Sequence, residues 1–266
     1  MDEARMAGGL VALSIDLELD IEHRDGLDEQ RSGEQRLDEV RTRLVAMTAR
    51  NSVPATWAVA DPLLSAASDQ VLSAAVGHEL AVLGDRTWIG YGAGRTRLAR
   101  ELARRFDTPR KAGIPVTTLA LRNVEQVVDL DLLLDHNVSA IRGPAVESAA
   151  GLRRAAQQPI RFGIWQSPTP WRIPPSAGWW ISVGWRIRRE IERTIRRGGQ
   201  LHLAIDAPRL IESGDEGLTA IERTLEYLAA QQASGRLTIA TLGQLAAQAL
   251  KQRAALPTRS ILRPAA

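Results

Sequence analysis

Three carboxylates alternate at the end of an early apolar run, LSIDLELD: Asp16, Glu18 and Asp20. In a strand, alternate side chains point to the same face, so these three would lie together, opposite Leu17 and Leu19. Grouped carboxylates bind a cation, share protons or pair with arginine. Asp16 lies within the apolar alternation itself, where an unpaired buried carboxylate is costly, and this favours a functional role or an arginine partner.

Further charged residues follow other apolar runs, at Asp61, Asp85, Arg122, Arg142 and Asp206. In a parallel α/β barrel the carboxyl ends of the strands form one rim, where active groups gather. The predicted rim is therefore rich in carboxylates and carries two arginines. The alternative for Asp61 and Asp85 is a helix N-cap, because aspartate is favoured where a loop enters a helix.

The four histidines are scattered along the chain, at His23, His78, His136 and His202. None has a partner at the three- or four-residue spacing with which one element ligates zinc. For His202, at the start of a predicted strand, a core role is favoured over catalysis. The chain has no cysteine, which excludes disulfides, thiolate metal sites and a cysteine nucleophile. A serine elbow motif is also absent from the sequence.

The elements that position these residues are predicted by short apolar runs alternating with longer amphipathic ones. The predicted strands are 10–18, 55–60, 79–84, 116–122, 138–143, 201–206 and 237–242, with a weaker one at 160–165. The predicted helices are 34–50, 64–76, 94–107, 125–135, 187–197, 216–233 and 243–254. Seven or so βα units in series indicate a parallel sheet covered by helices, in one domain over 1–255 with a flexible tail at 256–266.

Residues 159–185 interrupt this rhythm, because they hold five of the seven tryptophans and five of the thirteen prolines. A long loop of this composition on a barrel is more often part of a site than a connector. Indole faces stack on sugar rings, so several tryptophans are predicted to contact a ligand, with core packing as the usual alternative. The candidates are Trp57, Trp88, Trp165, Trp179 and Trp180.

Composition and charge exclude several classes of protein. The 34 basic and 31 acidic residues leave a net charge of +3, which does not indicate nucleic-acid binding. The one basic concentration, 186–197, has isoleucines at helical spacing and predicts a solvated amphipathic helix. No uncharged apolar stretch approaches the ~18 residues of a membrane helix, and the acidic N-terminal segment is unlike a signal peptide. We therefore expect a cytoplasmic protein without a membrane or nucleic-acid partner.

Five of these motifs, in the same order, resemble the polysaccharide deacetylase (NodB-homology) family over about residues 10–245. LSIDLELD is similar to that family's first strand, and VPATWAVADPLL is similar to its Ala-Thr-Phe-Phe strand. GHELAVLGDRT resembles Gly-His-Glu-Ile-x-x-His-x-x-x-His, AIRGP fits its Arg-x-Pro motif, and the segment from LHLAID to LGQLA resembles its closing elements. The resemblance implies a distorted (β/α)7 TIM-like barrel, of the glycoside hydrolase/deacetylase type, that removes acetyl groups from sugars.

Carried over residue by residue, the resemblance implies catalytic roles for rim residues. Asp16 takes the place of the catalytic base and Arg142 that of the arginine that orients the base. Asp206 falls at or beside the position of the catalytic-acid histidine. Glu18 is a further catalytic candidate, because it shares the face of Asp16.

The metal-ligand positions of the family correspond here to Leu17, Leu83 and Thr87. Leucine cannot ligate a metal and threonine is a poor substitute, so the resemblance implies a chain without the usual metal site. We therefore expect no metal and no other cofactor. Asp20 and Asp85 join the tryptophans as candidate ligand-binding residues at the rim.

Three functions remain open at this point. The first is a deacetylase-like protein of carbohydrate metabolism, degenerate at the metal site, that binds a glycan or a related polar ligand. The second is a metal-free or altered carbohydrate or amide hydrolase that uses the rim carboxylates. The third is a protein-interaction scaffold that uses the loop rich in tryptophan and proline.

Overall fold

The apolar runs of the sequence form largely buried strands. The computed structural model describes residues 8–18, 27–90, 92–124, 127, 129–146, 162–173 and 180–255. The predicted tail at 256–266 lies outside this range. Within it, the strands are β1 (Gly9–Asp16), β2 (Thr56–Val59), β3 (Glu79–Gly84), β4 (Val116–Leu121), β5 (Ala140–Arg142), β6 (Trp165–Gln166), β7 (Trp171–Ile173), β8 (Gln200–Asp206) and β9 (Leu237–Ala240).

All of these strands pair in parallel within one sheet. Their order is β6-β5-β4-β3-β2-β1-β8-β7, and β9 pairs separately with β1. Beyond β5, Val146 forms a parallel bridge with Trp171 of β7, so the sheet curls back towards its other end. This curled parallel sheet with helices around it confirms the predicted distorted (β/α)7 barrel.

The first strand pairs with three others. The start of β1 pairs with β9 and its end pairs with β2, while β8 runs along its other edge. Asp16 is level with Ala58 of β2 and with Asp206 of β8. The two aspartates therefore emerge side by side at the carboxyl end of the barrel, which we call the mouth.

Helices cover the outside of the sheet. They are α1 (Leu27–Arg50), α2 (Ala67–Ser73), α3 (Arg86–Ile89), α4 (Arg95–Leu102), α5 (Thr108–Lys111), α6 (Leu130–Asp135), α7 (Trp180–Arg197), α8 (Ala207–Ala233) and α9 (Leu242–Ala255), with a π-helical segment Ala103–Asp107 joining α4 to α5. Val11, Leu13, Ile15 and Leu17 of the first strand and its extension pack outwards, in one core cluster with apolar residues of α1, α7 and α8. Among the helices described, none is long and apolar enough to cross a membrane.

The inner face of the sheet carries small and polar side chains instead. Because side chains alternate along a strand, the outward packing of Leu13 and Ile15 directs Ser14 and Asp16 into the barrel. On β2 to β4 the inner face holds a small apolar cluster of Ala58, Ala81, Leu83 and Ala120. Towards the carboxyl ends of the strands, the interior is therefore divided between an aliphatic wall on β2 to β4 and polar groups on β1, β5 and β8.

The start of α9 is tied to the amino ends of the strands. Glu79, at the start of β3, accepts hydrogen bonds from Thr56 and Thr118, and from the amide of Gly243 at 2.8 Å. The hydroxyl of Thr56 in turn accepts from the amide of Leu242 at 2.9 Å. A Cβ atom on Gly243 would lie 2.7 Å from Oε1 of Glu79, so only glycine fits at this contact. This end of the barrel is thereby closed.

Candidate functional site

A buried ion pair spans the interior near the mouth. Nη1 of Arg142 donates to Oδ1 of Asp16 at 2.6 Å, and Nη2 donates to Oδ2 at 2.9 Å. Asp16 ends β1 and Arg142 ends β5, and three strands lie between β1 and β5 in the curled sheet. Arg142 has no solvent exposure and Asp16 has 4%. The pair predicted from the sequence is confirmed, and its bidentate geometry fixes the orientation of both side chains.

A chain of neutral groups lies beside this pair. The hydroxyl of Ser14 accepts from Nη1 of Arg142 at 3.1 Å, so its own proton is available to Nε2 of His202, 2.9 Å away. Nε2 is then an acceptor, and Nδ1 carries the proton towards Oγ of Ser167 at 3.2 Å and the carbonyl of Pro168 at 3.3 Å. Burial, and then the charge of Arg142, lower the pKa of His202 to about 3. The imidazole is therefore neutral, and the predicted core role of this histidine is confirmed.

Asp206 lies at the mouth beside several arginines. It precedes α8, but its side chain makes no capping hydrogen bond to that helix. Its Oδ2 atom is 3.5 Å from Nε of Arg209 and 3.9 Å from Nε of Arg172. Burial, and to a smaller extent the negative charge of Asp16, raise the pKa of Asp206. The positive charges of Arg122, Arg172 and Arg209 lower it, but they do not cancel the increase. Asp206 therefore holds a proton more readily than an ordinary aspartate.

The other carboxylates predicted at the rim make local contacts. Oε1 of Glu18 accepts from the amide of Ala60 at 3.0 Å, and the Glu18 carbonyl accepts from Arg122, which reaches it from the end of β4. Asp85 is the N-cap of α3, because its Oδ1 accepts from the amide of Thr87 at 2.8 Å and from its hydroxyl at 2.5 Å. The helix-cap alternative is thus realised at Asp85. Asp20, the third carboxylate of the first strand motif, lies outside the described residues.

Comparisons with known proteins identify the fold. No protein-family model matches the sequence, and no curated protein matches it either. Among solved structures, a Mycobacterium smegmatis protein classed as a polysaccharide deacetylase is similar, with a TM-score of 0.67 and 17% identity over 97% of this chain and 94% of that one. A Pseudomonas aeruginosa PAO1 protein of the same class has a TM-score of 0.57 and 13% identity over 90% of this chain and 89% of that one.

The chain has the fold of the polysaccharide deacetylases. PuuE allantoinase is also similar, with a TM-score of 0.58 and 12% identity over 96% of this chain and 93% of that one. At such low identity the likeness shows the fold alone. Proteins named for different substrates share this barrel, so the function must be argued from the site.

The resemblance to deacetylases implies a divalent metal, and its ligand positions correspond to Leu17, Leu83 and Thr87 in this chain. Leu83 lies in the aliphatic wall, and Leu17 points away from the interior into the outer core. Thr87 is exposed on α3, and its hydroxyl donates to Asp85. Among the residues described, no three His, Asp or Glu side chains are grouped to hold a metal ion.

The structure also corrects the expectation for three tryptophans. Trp57 is 0% exposed, Trp88 1% and Trp165 6%, so each packs in the core instead of presenting a face to a ligand. Trp57 points outwards because its neighbour on β2, Ala58, takes the inward position beside Asp16. Trp165 packs in a cluster with apolar residues of β1, β9 and α9. Trp179 and the side chain of Trp180 lie outside what the structure describes.

Three residues near the site were not predicted to belong to it. Ser14 shares the inward face of β1 with Asp16, and His202 shares that of β8 with Asp206, so alternation along each strand could have found them. Arg172 lies on β7, a strand of three residues within the segment rich in tryptophan and proline. The sequence carries no periodic signal for such a short strand.

Proposed function

We propose that this chain is a deacetylase-like barrel that binds a glycan or a related polar ligand at its mouth without the metal chemistry of the family. The main support for the proposal is that the interior near the mouth is divided into a polar half and an aliphatic half. Asp16, Arg142 and Asp206 gather on one side of the mouth, while the positions that resemble the metal histidines are Leu83, in the aliphatic wall, and Thr87, on the surface. The polar half suits a ligand with hydroxyl and amide groups.

The ion pair limits what the site can do chemically. Both oxygens of Asp16 accept from a guanidinium group that has no contact with solvent, so the carboxylate is held in place. Without a cation, nothing on the aliphatic wall would polarise an acetyl carbonyl or activate a water molecule. The residues present therefore support recognition of a ligand more than hydrolysis of an acetyl group.

To test the proposal, the EDTA-treated chain is titrated with acetylated and with deacetylated chito-oligosaccharides in a calorimeter. We expect saturable binding and no release of acetate. Asp206→Asn should change the affinity, because Asp206 lies at the mouth, whereas Asp215→Asn is the matched control on the exposed surface. Release of acetate that depends on added metal would contradict the proposal, and so would binding that Asp206→Asn leaves unchanged.

One observation favours a second candidate, a metal-free hydrolase that uses the mouth carboxylates. Asp16 and Asp206 occupy level positions on neighbouring strands, and the raised pKa of Asp206 favours its acid form. Two neighbouring carboxyl groups, one of which holds its proton more readily, form the usual acid–base arrangement of enzymes that cleave glycosidic bonds. In this case the metal-free chain would release reducing sugar ends from oligosaccharides, and Asp206→Asn would abolish the release. Intact oligosaccharides after prolonged incubation would exclude this candidate.

A further inference from the structure

One helix, α7, accounts for the net positive charge of the chain. Residues 187–197 hold five arginines and two glutamates, which gives this stretch a net charge of +3. The whole chain also has a net charge of +3, so 29 basic and 29 acidic residues make up the rest of it. The excess positive charge is therefore concentrated on one helix instead of being spread over the surface.

The packing of α7 turns its charged residues outwards. Ile187 and Ile191 are buried in the main core cluster. Because an α-helix has 3.6 residues per turn, Trp185, Arg189 and Arg196 project from the face opposite these isoleucines. Five exposed residues of the helix form what we call the α7 surface: Trp185, Arg188, Arg189, Arg196 and Arg197.

The two glutamates of α7 already have partners. Glu190 pairs with Arg193 of the same helix. Glu192 accepts from Nη2 of Arg236 at 2.8 Å and from the hydroxyl of Tyr227. These glutamates therefore leave most of the charge of the α7 surface uncompensated.

Three cations of the α7 surface contact rings or solvent instead of carboxylates. Arg188, Arg189 and Arg197 form no ion pair with any residue that the structure describes. The guanidinium group of Arg188 lies 5.1 Å from the ring centroid of Tyr227, and that of Arg189 lies 5.2 Å from the ring centroid of Trp185. An aromatic ring helps to position a guanidinium group without neutralising its charge. These groups are therefore open to carboxylates of a partner.

An exposed indole lies at one end of the α7 surface. Trp185 is 62% exposed, whereas the other tryptophans whose side chains the structure describes are at most 6% exposed. Tryptophan and arginine are the residue types that most often dominate the binding energy of protein interfaces. From Trp185 to Arg197 the helix extends about 18 Å, which is the length of a short helical segment of a partner.

We propose that the α7 surface docks a partner protein through an acidic segment, with an apolar side chain of that segment packed on Trp185. The carboxylates of the segment would pair with Arg189 and Arg197, since the fork of donors on a guanidinium group matches a carboxylate. This inference goes beyond the proposed function, because it concerns the outside of the barrel and not its mouth.

The charges around α7 favour a protein over a nucleic acid or an anionic membrane. Those polyanions present closely spaced negative charges, which would also meet Glu192 and Glu226, the exposed sequence neighbour of Tyr227. The balanced charge of the rest of the chain adds no net attraction for them. A protein segment, in contrast, can place carboxylates opposite the arginines alone. A second copy of α7 would bring like charges together.

Fluorescence anisotropy with labelled probes tests the inference on the full chain at physiological salt. The main probe is a helical peptide with glutamates at i, i+4 and i+7 and leucines beside them, and its matched control has lysines in place of the glutamates. A labelled DNA duplex is the third probe. Sedimentation with vesicles of phosphatidylcholine and phosphatidylserine tests a membrane. We expect the acidic peptide to bind about tenfold or more tightly than the lysine peptide and the duplex, and no sedimentation with the vesicles.

Variants of the α7 surface locate the binding. Trp185→Ala should weaken binding of the acidic peptide about tenfold. Arg189→Gln and Arg197→Gln should each weaken it about two- to fivefold, as expected for exposed charge pairs. Arg50→Gln is the matched control, because Arg50 is 62% exposed on α1, and it should leave the affinity unchanged. Circular dichroism should show the same fold for all four variants.

Several results would overturn the inference. They are an acidic peptide that does not bind, a Trp185→Ala variant that binds it as tightly as the original chain, and equal losses in Arg189→Gln and Arg50→Gln. Tighter binding of the DNA duplex, or sedimentation with vesicles that Trp185→Ala abolishes, would assign the surface to a polyanion and also overturn the inference. The proposed function does not depend on any of these results, because its ligand binds at the mouth.

Discussion

Replacing Asp16 by alanine should strongly destabilise the fold, because the guanidinium group of Arg142 would remain buried without its carboxylate. The pair is held by two charge-assisted hydrogen bonds of 2.6 and 2.9 Å, and Arg142 has no solvent exposure. Removing one partner of such a buried pair costs about 3–5 kcal/mol of the free energy of unfolding. For a chain of this size, the loss lowers Tm by roughly 5–9 °C. Urea unfolding followed by circular dichroism measures the change directly.

Two further variants make this test decisive. The double variant Asp16→Leu/Arg142→Met removes both charges, so it should be more stable than Asp16→Ala. Asp215→Ala is the matched control, because it breaks a 2.7 Å ion pair with Arg43 whose side chains are 49% and 85% exposed. The control should change the free energy of unfolding by less than about 1 kcal/mol. If Asp16→Ala costs no more than Asp215→Ala, the reasoning about the buried pair is refuted.

Three other predictions concern protonation, packing and metal. Lowering the pH from about 6.5 to 4.5 should reduce the free energy of unfolding by about 2–3 kcal/mol through His202. The lowered pKa of His202 keeps the imidazole neutral in the folded chain, whereas it becomes protonated in the unfolded chain. If a His202→Gln variant loses as much stability over this pH range as the original chain, this prediction is refuted. Gly243→Ala should destabilise by about 1–3 kcal/mol, since its Cβ would meet Glu79, whereas Gly199→Ala, where the space is open, should be nearly neutral in urea unfolding. Mass spectrometry of the purified chain should find no stoichiometric Zn, Co, Ni or Mn, and an equimolar metal bound near Asp85 would contradict this.

The central strands were predictable because each is a continuous apolar run. β3 spans 79–84 as predicted, and β1 and β8 differ from their predicted bounds by one or two residues. Alternation along the first strand separated Asp16 from its outward neighbours, and Asp206 was found because it follows an apolar run. The need of a buried carboxylate for a partner pointed to an arginine, and the family resemblance implied Arg142.

Other features depend on tertiary contacts that a linear pattern does not contain. β7 has only three residues and is defined by its pairing with β8 and its bridge to Val146. The weak strand predicted at 160–165 overlaps β6 (Trp165–Gln166) only at Trp165, and Phe162 and Gly163 form a turn. Trp57 was taken for a ligand contact on chemical grounds, although its position next to the inward Ala58 directs it into the outer core.

A crystal structure of the chain, grown with an acetylated chito-oligosaccharide and with zinc, would test the central claim most directly. We expect the sugar to lie at the mouth beside Asp206, with Asp16 still paired to Arg142 and no zinc ion between the carboxylates and the aliphatic wall. A zinc ion coordinated by Asp16, with Arg142 displaced from it, would contradict the claim, and so would a sugar bound away from the mouth.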